Sequence, residues 1–331
     1  MNRTISRLPC VYLAAFAMLA LPAFVSCCFA APPASEVMRP DAAQRAAIVE
    51  AVVAGSPSFE VTLPDAWRTG GAEAAESAAP TADGGGGESL AKAAQNPVAN
   101  MISVPFQNNF NLGVGPGDKY QNLLNIQPVI PIKLSESWNL ITRTIVPVVY
   151  QQEGVVPGLD SQFGLGDTTL TAFLSPAKPG KVIWGVGPAF LLPTATDDVL
   201  GTGKWGVGPS VVVLTMPGHW VLGGLLNNIW SVAGADDRAD VNAFTFQPFV
   251  NYNFEKGWYA SFSPVITANW EAPSDQRWTV PLGLGVGRVF KLGCQPVNIS
   301  LAYYYNVEHP DLAAEQQIRF QFVLLFPTGK K

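Results

Sequence analysis

The chain has 331 residues, a formal net charge of −5, 48% hydrophobic residues and 14% charged ones, where ordinary soluble domains carry about a quarter charged. That deficit points to lipid, yet beyond the N-terminus no apolar run approaches the roughly 18 to 20 residues of a spanning helix, so a closed barrel is left as the way to pair every backbone group in hydrocarbon. Net acidity without a basic stripe argues against nucleic acid as a partner.

Residues 1–30 read as a secretory signal peptide, with Arg3 and Arg7 ahead of an apolar core and Ala30 as a small residue for cleavage. Phe24-Val25-Ser26-Cys27 resembles a lipoprotein box with Phe where Leu is usual, so lipidation at Cys27 is the alternative. Cleavage after Ala30 removes Cys10, Cys27 and Cys28 and leaves Cys294 without an intramolecular partner. Residues 31–87 read as a flexible periplasmic segment rich in Ala, Gly and Pro, with a short helix expected over residues 41–53. Residues 88–100 are expected to hold a short helix stopped by Pro97, either a plug entering the barrel from below or a lead-in to the first strand.

Residues 101–331 are expected to form the barrel. In residues 102–114, Ile102, Val104, Phe106, Phe110 and Leu112 alternate with Ser103, Gln107, Asn109 and Asn111. A period of two gives a strand with one oily and one amide-rich face. The pattern returns over residues 120–132, 138–150, 163–174, 182–192, 205–216, 220–232, 242–254, 258–270, 278–290, 297–307 and 318–326. The oily face falls on even numbers except in 205–216 and 297–307, and 163–174 is the least regular, with Asp167 amid threonines. The fold class is therefore all-β: a closed antiparallel transmembrane barrel of about 12 strands, an even number as single-chain bacterial barrels have. The connections alternate between short ones (133–137, 175–180, 217–219, 255–257, 291–296) and mostly longer ones (151–162, 193–204, 233–241, 271–277, 308–315), with only 115–119 brief in the second set. Short periplasmic turns and long external loops are the asymmetry of outer-membrane barrels.

Trp138, Tyr150, Trp184, Trp205, Trp220, Trp230, Trp258, Trp270 and Trp278 fall near strand ends, where two aromatic girdles would meet the membrane boundaries. The candidate lumen set is mostly neutral: Gln107, Asn109, Asn111, Gln127, Gln247 and Asn251, with Arg143, Asp167 and Arg319 as its chief charges. Arg143 and Asp167 lie near mid-height on neighbouring strands, so an ion pair between them is expected. Glycines such as Gly185, Gly187 and Gly287 on the lumen face make room for facing side chains or a plug, while Pro128, Pro188 and Pro209 each remove a ladder donor and mark irregularities. Gly-Val-Gly-Pro recurs at Gly113, Gly185 and Gly206 without a following helix, so it is not read as a phosphate loop, and no cofactor is expected.

Asp197, Asp198, Asp236 and Asp237 sit in external loops, where solvation accounts for them and divalent-cation binding is the weaker alternative. His219 and His309 lie in connections without a visible serine partner, so no catalytic activity is expected.

Several segments resemble a known family. Leu90-Ala91-Lys92, Ile102-Ser103-Val104-Pro105-Phe106-Gln107-Asn108-Asn109, Asn125-Ile126-Gln127-Pro128, Trp138-Asn139-Leu140-Ile141-Thr142-Arg143 and Gly164-Leu165-Gly166-Asp167 are similar to bacterial outer-membrane barrels grouped with meta-pathway (MetA-like) phenol degradation. Some members carry the unrelated name neuromedin U. The resemblance covers residues 88–326 and implies a transporter. One departure is the C-terminus, where Phe326 is followed by five residues rather than ending the chain. The leading expectation is a passive channel for small molecules, apolar or aromatic ones if the family label holds, in the outer membrane of a Gram-negative cell. It would act as a monomer, in contact with lipid and lipopolysaccharide and inserted by the barrel-assembly machinery. The alternative is a closed structural or surface-interaction barrel without transport.

Overall fold

The computed structural model describes residues 86–115, 117–156 and 158–327. The expected signal peptide, the Cys27 box, nearly all of the Ala/Gly/Pro-rich segment and the 41–53 helix lie outside these residues. Helix α1 (Gly86–Ala94) precedes fifteen strands in one antiparallel sheet: β1 (Met101–Val114), β2 (Lys119–Ile126), β3 (Val129–Lys133), β4 (Trp138–Gln151), β5 (Gln162–Leu165), β6 (Thr168–Pro176), β7 (Val182–Leu192), β8 (Lys204–Thr215), β9 (Trp220–Gly234), β10 (Asn242–Asn253), β11 (Trp258–Phe262), β12 (Ile266–Asn269), β13 (Trp278–Leu292), β14 (Gln295–Glu308) and β15 (Gln316–Pro327). Three pairs (β2 with β3, β5 with β6, β11 with β12) are single staves interrupted midway, so the sheet is a barrel of 12 staves. It closes between β1 and β15, where Ile102 faces Phe326 and Asn109 faces Arg319, so among the described residues the sheet has no open edge.

The interruptions have local causes. Pro128 has no N–H to give and splits β2 from β3; the ladder is held across the gap by Gln127 N–H to the Pro105 carbonyl (2.9 Å) and Thr144 N–H to the Pro128 carbonyl (3.1 Å). The fully buried Pro264 lies between β11 and β12 in the same way. Between β5 and β6 the chain leaves the ladder at Gly166 and Asp167.

The oily face points outward in the phase read from the sequence. On β8, Trp205, Val211 and Val213 are exposed while Gly206, Ser210, Val212 and Leu214 are buried, and on β14 Leu301, Tyr303 and Val307 are exposed while Tyr304 and Asn306 are buried. One end of the barrel carries tight turns such as Glu255–Gly257, and the other carries the long connections. Trp138, Trp184, Trp220 and Trp258 lie at the short-turn end, and Tyr150, Trp205, Trp230, Trp270 and Trp278 at the long-loop end. Trp138 meets Trp184 edge-on at 5.9 Å, and Trp270 meets Trp278 at 6.3 Å. From Trp220 to Trp230 on one strand, about 3.3 Å per residue and a tilt near 40° project to about 25 Å, the height of an outer-membrane apolar band.

The long loops are rooted by polar contacts. Asp167 accepts from Ala195 N–H (3.2 Å), Thr202 N–H (2.6 Å) and the Thr202 hydroxyl (2.7 Å). Arg238 donates to the carbonyls of Asp198 (2.7 Å), Gly201 and Thr202 (3.3 Å). Lys204 reaches Asp240 at 3.2 Å. Hydrogen bonds from Lys204 and then Ser231, with the Lys204 charge, hold the Asp240 carboxyl below the ordinary aspartate range. Because the folded value is depressed, this contact contributes above the ordinary range and fades as pH falls through the lowered value. An NMR titration should therefore find Asp240 below an ordinary aspartate, and Lys204→Met should move it back up; an unchanged midpoint would exclude the contact.

Candidate functional site

The cavity wall is built by inward positions of β1, β3, β4, β9 to β11 and β13 to β15, together with the segment ahead of β1. Helix α1 ends where Pro97 prevents its continuation, and Asn96 turns the chain by accepting Val98 N–H at 3.0 Å. Ala91, fully buried, packs against Met101, Tyr259, Val289, Val323 and Leu325 on one wall. Val98 packs against Val129, Ile141, Phe173, Val212, Leu225 and Phe249 on the other. Residues 91–98 thus cross the lumen at the short-turn end. Gln95 fixes the crossing by donating to Asn253 Oδ1 at 2.8 Å, and Asn253 in turn donates to the His219 carbonyl at 3.1 Å. Gly185 leaves space beneath Val98: a Cβ there would stand 3.3 Å from Val98 Cγ1 and 3.2 Å from Phe173 Cβ.

Above this crossing lies a cavity of about 170 Å³. Of the expected lumen residues, Gln107, Gln127, Arg143, Gln247, Asn251 and Arg319 line it. Asn109 and Asn111 are buried beside it in a chain of side chains that runs across the β15–β1 closure. Gln121 Oε1 accepts from Asn111 (3.0 Å), Asn111 Oδ1 from Gln317 (3.0 Å), Gln317 Oε1 from Arg319 (2.9 Å) and Asn109 Oδ1 from Arg319 (3.1 Å). Arg319 also donates to the Ser263 carbonyl at 2.9 Å and lies 4.7 Å from the Tyr304 ring centre. The β11–β12 interruption is what makes that carbonyl available, since Ser263 lies outside both strands.

The expected Arg143–Asp167 ion pair does not form. Arg143 donates to Gln127 Oε1 at 2.8 Å, whereas Asp167 turns to Ala195 and Thr202. Its stave breaks at that residue, so the period-two phase that would have aimed both side chains into the lumen is lost there. Among the described residues no three His, Cys, Asp or Glu groups come together as a metal site, Asp197, Asp198, Asp236 and Asp237 included. Asp197 instead accepts its own loop's Val199 N–H at 3.1 Å.

Ala93 to Pro97 and Ala99, within the segment expected as a plug or a lead-in, also line the cavity, as do Tyr259, Asn298 and Tyr304, which were not singled out from the sequence. Tyr304 was within reach, because the odd-numbered oily face of 297–307 places it inward. Gln95 Oε1 and Asn251 Oδ1, on residues of the cavity wall, are buried without a hydrogen-bond partner among the described residues.

A closed twelve-stave barrel with an apolar outer face, aromatic ends and a polar lumen defines an outer-membrane barrel. Residues 107–322 match the family described as "Putative MetA-pathway of phenol degradation", and the chain belongs to it. Among solved structures it is similar to an outer-membrane channel from Pseudomonas putida F1, with 18% identity, a TM-score of 0.53 and coverage of 68% of this chain and 94% of that one. The Pseudomonas putida toluene transporter TodX (10% identity, TM-score 0.34, 84% and 96% covered) and the outer-membrane phospholipase A of Escherichia coli (12%, 0.34, 68% and 96%) are more distant in geometry. No curated protein matches the sequence.

Proposed function

We propose that the protein is a passive outer-membrane channel for small molecules, with the lumen as its path and residues 91–98 as the constriction. The observation that carries this is the cavity held between a polar barrel wall and the segment crossing beneath it. The family's link to phenol degradation and the likeness to an outer-membrane channel support it, and favour apolar or aromatic solutes. The short-turn end then faces the periplasm together with the N-terminal segment, while the long loops meet lipopolysaccharide. The barrel works as a monomer placed by the assembly machinery. No catalytic step is assigned: the His219 ring lies tilted against Tyr252 at 5.8 Å at the short-turn end and His309 contacts the Pro310 carbonyl in a long loop, and neither lines the cavity.

Osmotic swelling of proteoliposomes in arabinose tests the channel. Swelling faster than protein-free vesicles is expected, and faster still for a variant lacking residues 86–99. Rates equal to protein-free vesicles in both forms would favour the closed structural barrel.

A further inference from the structure

We propose that the lumen cavity binds a small monocarboxylate, gripped by Arg143. This rests on the reading of the lumen as a passage and names what it takes. Two guanidinium groups, Arg143 and Arg319, line one cavity, and no aspartate or glutamate among the described residues lines it with them. The two are unequally engaged. Arg319 spends Nε and both terminal nitrogens on Asn109, Ser263 and Gln317 and stacks on Tyr304, so it is part of the wall. Arg143 makes one hydrogen bond among the described residues, to Gln127, although a guanidinium carries five N–H donors in a planar fork. Its cross-strand neighbours, Val129 on β3 and Thr171 on β6, bring no charge, and the part of its surface left accessible opens on the cavity.

A cation enclosed by protein without a counter-charge is costly, and a second like charge on the same cavity adds to the cost. An anion between them relieves both. The free fork of Arg143 matches a carboxylate bidentately, with charge-assisted bonds. Size and lining narrow the class further. Apolar cavities of about 150 Å³ take a benzene, so about 170 Å³ suits a single ring or a short chain. Beside the amides and hydroxyls of the wall, Leu225, Phe249 and Val129 give part of it an apolar character that the body of an organic acid contacts and an inorganic anion leaves empty.

Titration calorimetry on the whole refolded protein, with benzoate, benzamide and inorganic phosphate as probes, decides the matter. Benzoate should bind at least tenfold more tightly than its neutral isostere benzamide, and Arg143→Gln should weaken benzoate at least tenfold while heat-modifiable migration is unchanged. If the glutamine variant does not fold, Arg143→Lys keeps the charge and removes the fork, and a several-fold loss is expected. Benzamide equal to benzoate, phosphate as tight as benzoate, no benzoate heat, or benzoate binding indifferent to these substitutions would overturn the proposal. The swelling assay keeps the two readings apart. Benzoate binding without swelling defeats passage alone, and swelling without benzoate binding defeats the carboxylate site alone.

Discussion

Arg319→Leu should lower the unfolding free energy of the refolded barrel by about 3 kcal/mol, as three charge-assisted hydrogen bonds vanish and their acceptors stay buried. The acceptors are Asn109 Oδ1, the Ser263 carbonyl and Gln317 Oε1, and Asn109 is 3% exposed. The loss concentrates where the sheet closes, because Asn109 and Arg319 face each other across the β1–β15 pair. Denaturant unfolding in lipid vesicles reads it. Arg143→Leu, which strands one partner, should cost less than about 1 kcal/mol. Equal losses at the two positions would contradict the division between a wall arginine and a free one.

The second large effect is expected at Gly287. It faces Tyr259 directly across the β11–β13 pair, and a Cβ on it would run into the Tyr259 ring. That ring is 4% exposed, donates its hydroxyl to Asn298 Oδ1 at 2.9 Å and supports Ala91 of the lumen-crossing segment. Gly287→Val should therefore destabilise the barrel by about 3 kcal/mol by expelling the ring. In a Tyr259→Ala background the same valine should cost under about 1 kcal/mol, since the space is vacant. A penalty unchanged by Tyr259→Ala would place the strain in the backbone instead.

The barrel was legible because its signal is repeated: a dozen stretches with period two, the switch to odd phase in 205–216 and 297–307, and turns that alternate in length each test the others. The same phase rule put Gln107, Gln127, Arg143, Gln247, Asn251 and Arg319 inside. It failed at Asp167, where Gly166 and Asp167 leave the ladder and side-chain phase no longer predicts direction. It was equally silent on the segment from α1 to β1. Pro97 says where the helix stops, but the route of Val98 to the far wall depends on Gly185, Phe173 and Val212, which are distant in sequence and bear no local mark. Nor could alternation distinguish the employed Arg319 from the free Arg143. Both read as single charges on an amide face, and the difference lies in the carbonyl that Ser263 releases at the β11–β12 break.

The central claim, a conducting lumen crossed by residues 91–98, is tested most directly by single-channel recording of the refolded protein beside a variant lacking residues 86–99, both with heat-modifiable migration. A small conductance that rises several-fold on removal of the segment is the expected result. Identical conductance in the two forms, or none in either, would contradict it.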